Sequence, residues 1–308
     1  MHRFSLRQLE YLIACIDHGS IAGAAKSLNV SQPTVSIALA KLEDQMGAQL
    51  LLRHHSQGIS ATASAKNILH SARALLIHAT DLQRQIMMTG SSISGELNLG
   101  SFTTLASAVL PRIVNAISSE YPDIKLKISE GTQEKLIEGL HTGRLEMALL
   151  YDLDLPENIR KIQLTELAPY AVLPAKHALS GQSDIDLSEL SDEPFILLDV
   201  PPSREFFLGL FRSAGLTPNI VHSSPSLELI RGLVGYGLGY SLLVTRPAND
   251  TTYDGRELCV LPLRNSTSKS SVVLASHNKL RPTQIMKAFE VAALGAFKPA
   301  SALTAQYK

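Results

Sequence analysis

The stretch Ser20-Ile-Ala-Gly-Ala-Ala-Lys-Ser-Leu-Asn-Val-Ser-Gln-Pro-Thr-Val-Ser-Ile-Ala-Leu39 reads as two helices joined by a sharp turn. Ala24 and Ala25 are small enough to let helices cross closely, and Ile21 and Leu28 share their buried side. Asn29 tolerates the left-handed backbone of a reversal, Val30 fills the corner, and Ser31 stands where a cap for the second helix belongs. Pro33 falls in a first turn whose N–H groups have no intrahelical partner. Val35, Leu39, Leu42 and Met46 recur at helical spacing and turn inward, leaving Gln32, Pro33, Ser36, Ile37 and Ala40 outward. Ser31, Gln32, Pro33, Thr34, Ser36 and Ile37 are therefore the residues expected to meet DNA. Polar groups at such a helix start can hydrogen-bond base edges, and apolar ones can touch a thymine methyl. The competing reading is an ordinary αα-hairpin with a solvated polar face.

Upstream, Leu6, Leu9, Leu12, Ile13 and Ile16 form the stripe of a supporting first helix. Downstream, residues 49–62 read as a two-stranded wing turning at Gly58, with Arg53, His54 and His55 placed to reach phosphates. Arg53 is the stronger contact and His55 the weaker, because a histidine is mostly neutral at pH 7. From residue 62 to 88 there is neither proline nor glycine, and Ala65, Ile68, Ala72, Leu75, Ala79, Leu82 and Ile86 repeat every three or four residues. That is a long helix, about 36 Å at 1.5 Å per residue, with a seam suited to pairing with a second copy. A polar hinge, residues 90–95, follows.

Beyond the hinge, strand and helix patterns alternate, as βαβ units require. One set runs through strands at 96–101, 124–130 and 145–151, with helices at 105–120 and up to about 142; Ile124, Leu126 and Ile128 lie on one strand face. A second set has strands at 167–174, 195–199, 219–222 and 240–244, with helices near Phe206 and at 227–235. A strand at 269–276 and a helix after Pro282 return to the first set. The expected divisions are 1–61 for the winged helix-turn-helix, 62–90 for the linker helix and 91–308 for a two-lobed α/β domain. Its lobe one covers about 95–165 and 269–300, and lobe two about 166–268.

Open α/β sheets bind ligands at the carboxyl ends of their strands. Ser101, Phe102, Thr103 and Thr104 end the first strand, Thr132 and Gln133 follow the second, and Tyr151 follows the third. Ser203 and Arg204 open one helix of lobe two, and Ser226 precedes another. Convergent hydroxyls and helix N-termini suit a small molecule bearing a carboxylate, although each serine or threonine taken singly is better explained by helix capping, and only the convergence carries weight.

Lys plus Arg total 28 and Asp plus Glu total 28, so no basic excess announces a nucleic-acid ligand. Within residues 1–60 five basic residues face four acidic ones, which leaves phosphate attraction to well-placed cations, helix N-termini and duplication of the head by dimerisation. Charges in the first helix exclude a secretory apolar core, and no apolar run approaches membrane-spanning length, so the expected location is the cytoplasm with no membrane partner. Cys15 and Cys259, the only cysteines, suggest neither a disulfide framework nor a zinc site.

The chain resembles the LysR-type transcriptional regulators of bacteria from end to end. The resemblance rests on Ala24-Ala25-x-x-Leu28-x-Val30-Ser31-Gln32-Pro33-x-x-Ser36, Leu42-Glu43, Gly47, Leu50-Leu51-x-Arg53 and the run from Gly58 to Thr62. Leu110-Pro111, Tyr121-Pro122, Gly139-Leu-x-x-Gly143-x-Leu145 and Gly232-Leu-Val-x-x-Gly237-x-Gly239 resemble the family's effector domain. It implies a winged helix-turn-helix head, a dimerising linker helix through 62–90, and an effector domain similar to type II periplasmic solute-binding proteins. It also implies a homotetramer acting on double-stranded promoter DNA under a small-molecule effector, often an organic acid, with RNA polymerase as a further candidate partner. No cofactor or metal is implied. The chain departs from the family pattern at Leu51, commonly Phe, at the weakly basic His54-His55 pair, at Ala61-Thr62-Ala63-Ser64-Ala65, and at Ile37 and Ala38. Base readout is accordingly expected to lean on Gln32, Ser36 and methyl contacts.

Three rival readings compete with this one. An enzyme lacks support, because the chain has no Gly-x-Ser-x-Gly elbow, phosphate loop, His-Glu-x-x-His or Cys-x-x-Cys. A stand-alone solute-binding subunit would carry an export signal and no DNA-binding head. A DNA-organising protein with a vestigial cleft remains the main alternative.

Overall fold

The computed structural model describes residues 4–54, 58–87, 93–264 and 268–297. Helix α1 (Leu6–His18) starts in a capping box made by Ser5 and Gln8 and ends at Gly19. Helices α2 (Ile21–Ser27) and α3 (Gln32–Met46) form the expected pair, with Asn29 in the left-handed conformation (φ 54°) at the turn. Leu9, Leu12, Ala24, Ala25, Val35, Leu39 and Leu42 make one buried cluster, while Met46 is only partly buried.

Strands β1 (Leu51–His54) and β2 (Gly58–Ala61) pair antiparallel as the wing, Arg53 opposite Ile59. Two contacts aim it. The Glu43 Oε1 on α3 accepts from the Leu50 and Leu51 N–H groups at 2.7 and 3.1 Å. The Ile59 N–H donates to the Gly19 carbonyl at 2.8 Å. Gly58 sits at φ +87°, and a Cβ there would stand 2.4 Å from the Gly19 oxygen, so the wing approaches α1 closely only because no side chain intervenes.

Helix α4 (Ala63–Met87) is capped by Thr62, whose hydroxyl accepts from the Ala65 N–H and donates to the Gln49 carbonyl. Its expected seam divides. Ala65, Leu69 and Ala72 are buried in the head's own core against α1, so the first half of the apolar stripe is used within the chain. Leu75 and Leu82 remain exposed, the latter by 59%. The side chain of Ile86 and residues 90–92 of the 90–95 hinge lie outside the described residues.

Lobe one contains β3 (Gly95–Phe102), α5 (Thr103–Ala108), α6 (Leu110–Glu120), β4 (Ile124–Gly131), α7 (Gln133–Thr142), β5 (Met147–Tyr151) and β6 (Ile159–Leu167). The chain then crosses to lobe two, with β7 (Tyr170–Pro174), β8 (Pro194–Leu198), α8 (Ser203–Ser213), β9 (Asn219–Ser224), α9 (Leu227–Gly235), β10 (Ser241–Leu243) and β11 (Leu258–Pro262). It returns to lobe one through β12 (Ser270–His277) and α10 (Gln284–Phe297). The lobe-one sheet has the order β4-β3-β5-β12-β6, with β12 antiparallel to both neighbours. In lobe two β10-β7-β11 joins β8-β9 through a bridge between Phe195 and Tyr240, which reproduces that arrangement with β7 as the antiparallel strand. Each lobe's antiparallel strand thus adjoins a crossing between lobes.

Several local expectations are corrected. The continuous helix over 105–120 breaks at Val109, because Pro111 has no N–H to donate back along a continuing helix and fits only near the start of a new one. The single strand over 167–174 is two strands in different lobes, separated at residues 168–169. Strands β6 and β11 were not expected at all. On β4 the apolar face is buried only at its start: Ile124 is covered, Leu126 half-covered and Ile128 exposed, as befits an edge strand.

Gly58→Val should destabilise the head by about 1–3 kcal/mol through its positive φ and its clash with Gly19, measured by thermal or urea unfolding. Wild-type stability in this variant would contradict the wing docking described.

Candidate functional site: a DNA-reading helix end and an interlobe cleft

At the head, the Ser31 hydroxyl caps α3 by accepting from the Thr34 N–H at 3.3 Å and lies 2.7 Å from the Thr34 hydroxyl. Those two residues are therefore engaged in building the helix start. Gln32 and Pro33 are exposed, with no hydrogen bond from the Gln32 side chain among the described residues. Ile37 is 69% exposed on the same face, while Ser36 is half-buried. Arg53 is exposed on the wing, and His54 Nε2 lies 2.7 Å from the Ser60 hydroxyl across the hairpin. His55 falls outside the described residues. Glu43 carries a positioning role that the sequence motif alone did not reveal, since its partners are backbone N–H groups seven and eight residues away.

The two lobes meet near the carboxyl ends of β3 and β5 in lobe one and of β10 in lobe two. There three hydroxyls line up: Thr104 Oγ1 is 2.9 Å from Tyr151 Oη, which is 2.5 Å from Thr245 Oγ1. Thr104 and Tyr151 belong to lobe one and Thr245 follows β10 in lobe two, so the phenol ties the lobes together. The Tyr170 hydroxyl braces Thr245 from within lobe two by donating to its carbonyl at 2.8 Å. Burial pushes the Tyr151 and Tyr170 phenols up, which keeps both neutral. Thr245 and Tyr170 were missed in the sequence, where neither stands near the other residues.

The remaining expected effector residues separate into two groups. Thr103 is exposed, with its hydroxyl donating to the Gly131 carbonyl at 3.3 Å, Thr132 is half-exposed and Ser203 buried, at the starts of α5, α7 and α8. None of these three helices has a side-chain cap on its N-terminus. Gln133 is buried; its Nε2 donates to the Leu153 carbonyl at 2.5 Å and its Oε1 has no partner. The other group is already engaged. Ser101 is fully buried and its hydroxyl donates to the Phe102 carbonyl, while Phe102 packs edge-on against Tyr151. The Ser226 hydroxyl caps α9 by accepting from the Leu229 N–H. Arg204 is ion-paired with Asp199 at 2.8 Å, an interaction that raises its pKa further. Among the described residues no cluster of His, Cys, Asp or Glu could hold a metal ion, and no helix is long and apolar enough to cross a membrane.

Residues 6–66 match the model of the bacterial regulatory helix-turn-helix proteins of the lysR family, and residues 90–296 match the LysR substrate-binding domain. The chain is 30% identical over 284 residues to the uncharacterized HTH-type transcriptional regulator YnfL of Escherichia coli K12, covering 90% of this chain and 94% of that one. It is 28% identical over 272 residues to a hydrogen peroxide-inducible genes activator of Dickeya chrysanthemi, covering 88% of each. Among solved structures, a putative LysR family transcriptional regulator from Pseudomonas aeruginosa superposes with TM-score 0.66 at 36% identity, covering 96% of this chain and all of that one. With both family models matched across nearly the whole described fold, the chain belongs to the LysR family: it is a DNA-binding transcriptional regulator with an effector-binding domain, and not an enzyme.

Proposed function

We propose that this regulator reads its promoter DNA through the first turn of α3 and is switched by an organic acid held between its lobes. For the DNA contact, Gln32, Pro33 and Ile37 supply base-edge and methyl contacts, Ser36 a secondary one, and Ser31 and Thr34 fix the helix start against the phosphates. Arg53 supplies phosphate attraction from the wing. The exposed, unpartnered amide of Gln32 is the observation that carries this part.

The starts of α7 in lobe one and α8 in lobe two, neither with a side-chain cap, carry the effector reading. The Thr132 and Ser203 hydroxyls and the N–H groups left at those starts suit a carboxylate, although the Arg204 N–H already donates to the Val200 carbonyl at 3.2 Å and the Thr103 hydroxyl to the Gly131 carbonyl. The unpaired Gln133 Oε1 asks for a donor, so a hydroxy or amino acid fits better than a simple acid. Arg204 and Ser226 contribute only if their present partners give way. The Thr104–Tyr151–Thr245 tie would set the lobe angle that the ligand changes, and a ligand shifts that angle only by its differential affinity for the two arrangements.

Pairing of α4 through Leu75 and Leu82 would give a dimer, and contacts between effector domains a tetramer. The resemblance to peroxide-inducible activators does not extend to a thiol sensor in our reading. Burial pushes the Cys15 thiol up to about 11 and raises that of Cys259, and the two belong to different domains, which disfavours thiolate attack on an oxidant.

Gln32→Ala should lower discrimination between operator and random duplex by about 1–3 kcal/mol in competition binding, and an unchanged preference removes Gln32 from the readout. Arg53→Ala should weaken binding to both duplexes and reduce the salt slope by about one, read from a titration at several ionic strengths; an unaltered slope means that no phosphate is contacted. Tyr151→Phe should cost the effector domain about 1–3 kcal/mol and alter the response to an acid found by thermal-shift screening, with basal operator binding kept. Loss of operator binding in that well-folded variant contradicts the placement.

A further inference from the structure

Three histidines from three distant parts of the chain meet where the linker helix docks on lobe one. His70 on α4 and His277 at the end of β12 stack with ring centroids 4.0 Å apart, and His141 on α7 meets His277 edge-on at 5.6 Å. His70 and His277 are both buried, at 9% and 7% exposure. The contact is close because Gly143 ends α7 with φ +72°, where a Cβ would come within 3.1 Å of the Arg73 side chain and 3.6 Å of the His70 backbone.

Hydrogen bonding fixes the charge state of His277. The Lys279 N–H donates to His277 Nδ1 at 3.1 Å, so that nitrogen must present a lone pair and the ring must be neutral. A proton on Nδ1 breaks this bond and places a cation against two more imidazoles and the Lys279 ammonium. The carboxylates of neighbouring elements are already engaged: Asp17 of α1 with Arg73 of α4, Glu290 of α10 with Arg160 of β6, and Glu138 of α7 with Arg144. His141 is 3.1 Å from the Asn158 side-chain oxygen, a neutral partner.

We propose that the His70–His141–His277 cluster is a proton-sensitive joint, which holds the linker helix against lobe one when neutral and releases it when protonated. Burial, the neighbouring imidazoles and Lys279 push His277 down to about 4, and burial first, then Lys279 and His141, also lower His70. A lowered pKa in the docked state means that the undocked state binds the proton more tightly. The joint's contribution is therefore complete above about pH 6.5, falls as the pH drops, and is gone below about pH 4. Because α4 also carries part of the head's core, mild acid would uncouple the effector domain from the DNA-binding unit without needing the effector.

Hydrogen exchange of the full chain between about pH 7.5 and about pH 5, corrected for the intrinsic rate, tests this. Peptides from 66–77, 139–146 and 272–280 should lose protection by up to about 30-fold from His277 alone, while those from β3 and α3 hold theirs. His277→Asn keeps an acceptor near Nδ1 but cannot be protonated, and it should abolish most of that pH step. Should this variant fail to fold, His70→Asn takes its place and should reduce the step. A wild-type chain with no local loss, or a step unchanged in the folded variant, overturns the proposal.

Discussion

The fold turns on how α3 is held: its inner face is buried while its first turn stays in solvent. Val35, Leu39 and Leu42 are almost fully buried against α1 and α2, which fixes the helix at the cost of only one side of its surface. Ser31 completes the outer end by satisfying an N–H of the first turn, so no other protein group is needed there. Glu43 then couples the helix to the wing, and Gly19 couples the wing to α1. Arg53 and Gln32 owe their relative placement to these backbone contacts more than to any contact between themselves.

Helix α4 belongs to two cores at once. Its first turns complete the head through Ala65, Leu69 and Ala72, and Arg73 adds an ion pair with Asp17 of α1 at 2.5 Å. One turn away His70 meets lobe one, whose β5 ends in the Tyr151 phenol that joins the lobes. A packed route therefore runs from cleft to head. Contact by itself transmits nothing; what matters is that the lobe tie and the linker joint are both small polar contacts that can hold or open, set between rigid apolar cores.

Much of this was legible in the sequence where the signal is local. The helix pair shows in the spacing of Val35, Leu39 and Leu42, the turn in Asn29, the cap in Ser31, and the wing in Gly58. Local signals failed where a distant partner decides. Strand β6 carries Arg160, Lys161 and Glu166 among its apolar residues, and its strand character comes from pairing with β12 more than a hundred residues later. Ala65 and Ala72 fit a dimer seam as well as they fit the head's core, and periodicity cannot tell which surface meets them. At the cleft, single residues such as Thr132 and Tyr151 stood out because they end strands. Their partners did not: Thr245 lies 94 residues from Tyr151, and the three histidines of the linker joint come together only through the docking of α4.

The central claim is that the outward end of α3 enters a major groove. Methylation-interference footprinting of the full chain on the duplex upstream of its own gene tests this most directly. The account predicts that N7-methylated guanines block binding at half-sites spaced by about 10–10.5 base pairs or a multiple of it, each on the face a paired head would reach. Binding that ignores groove methylation throughout, or no preference for any duplex over random DNA, would contradict it.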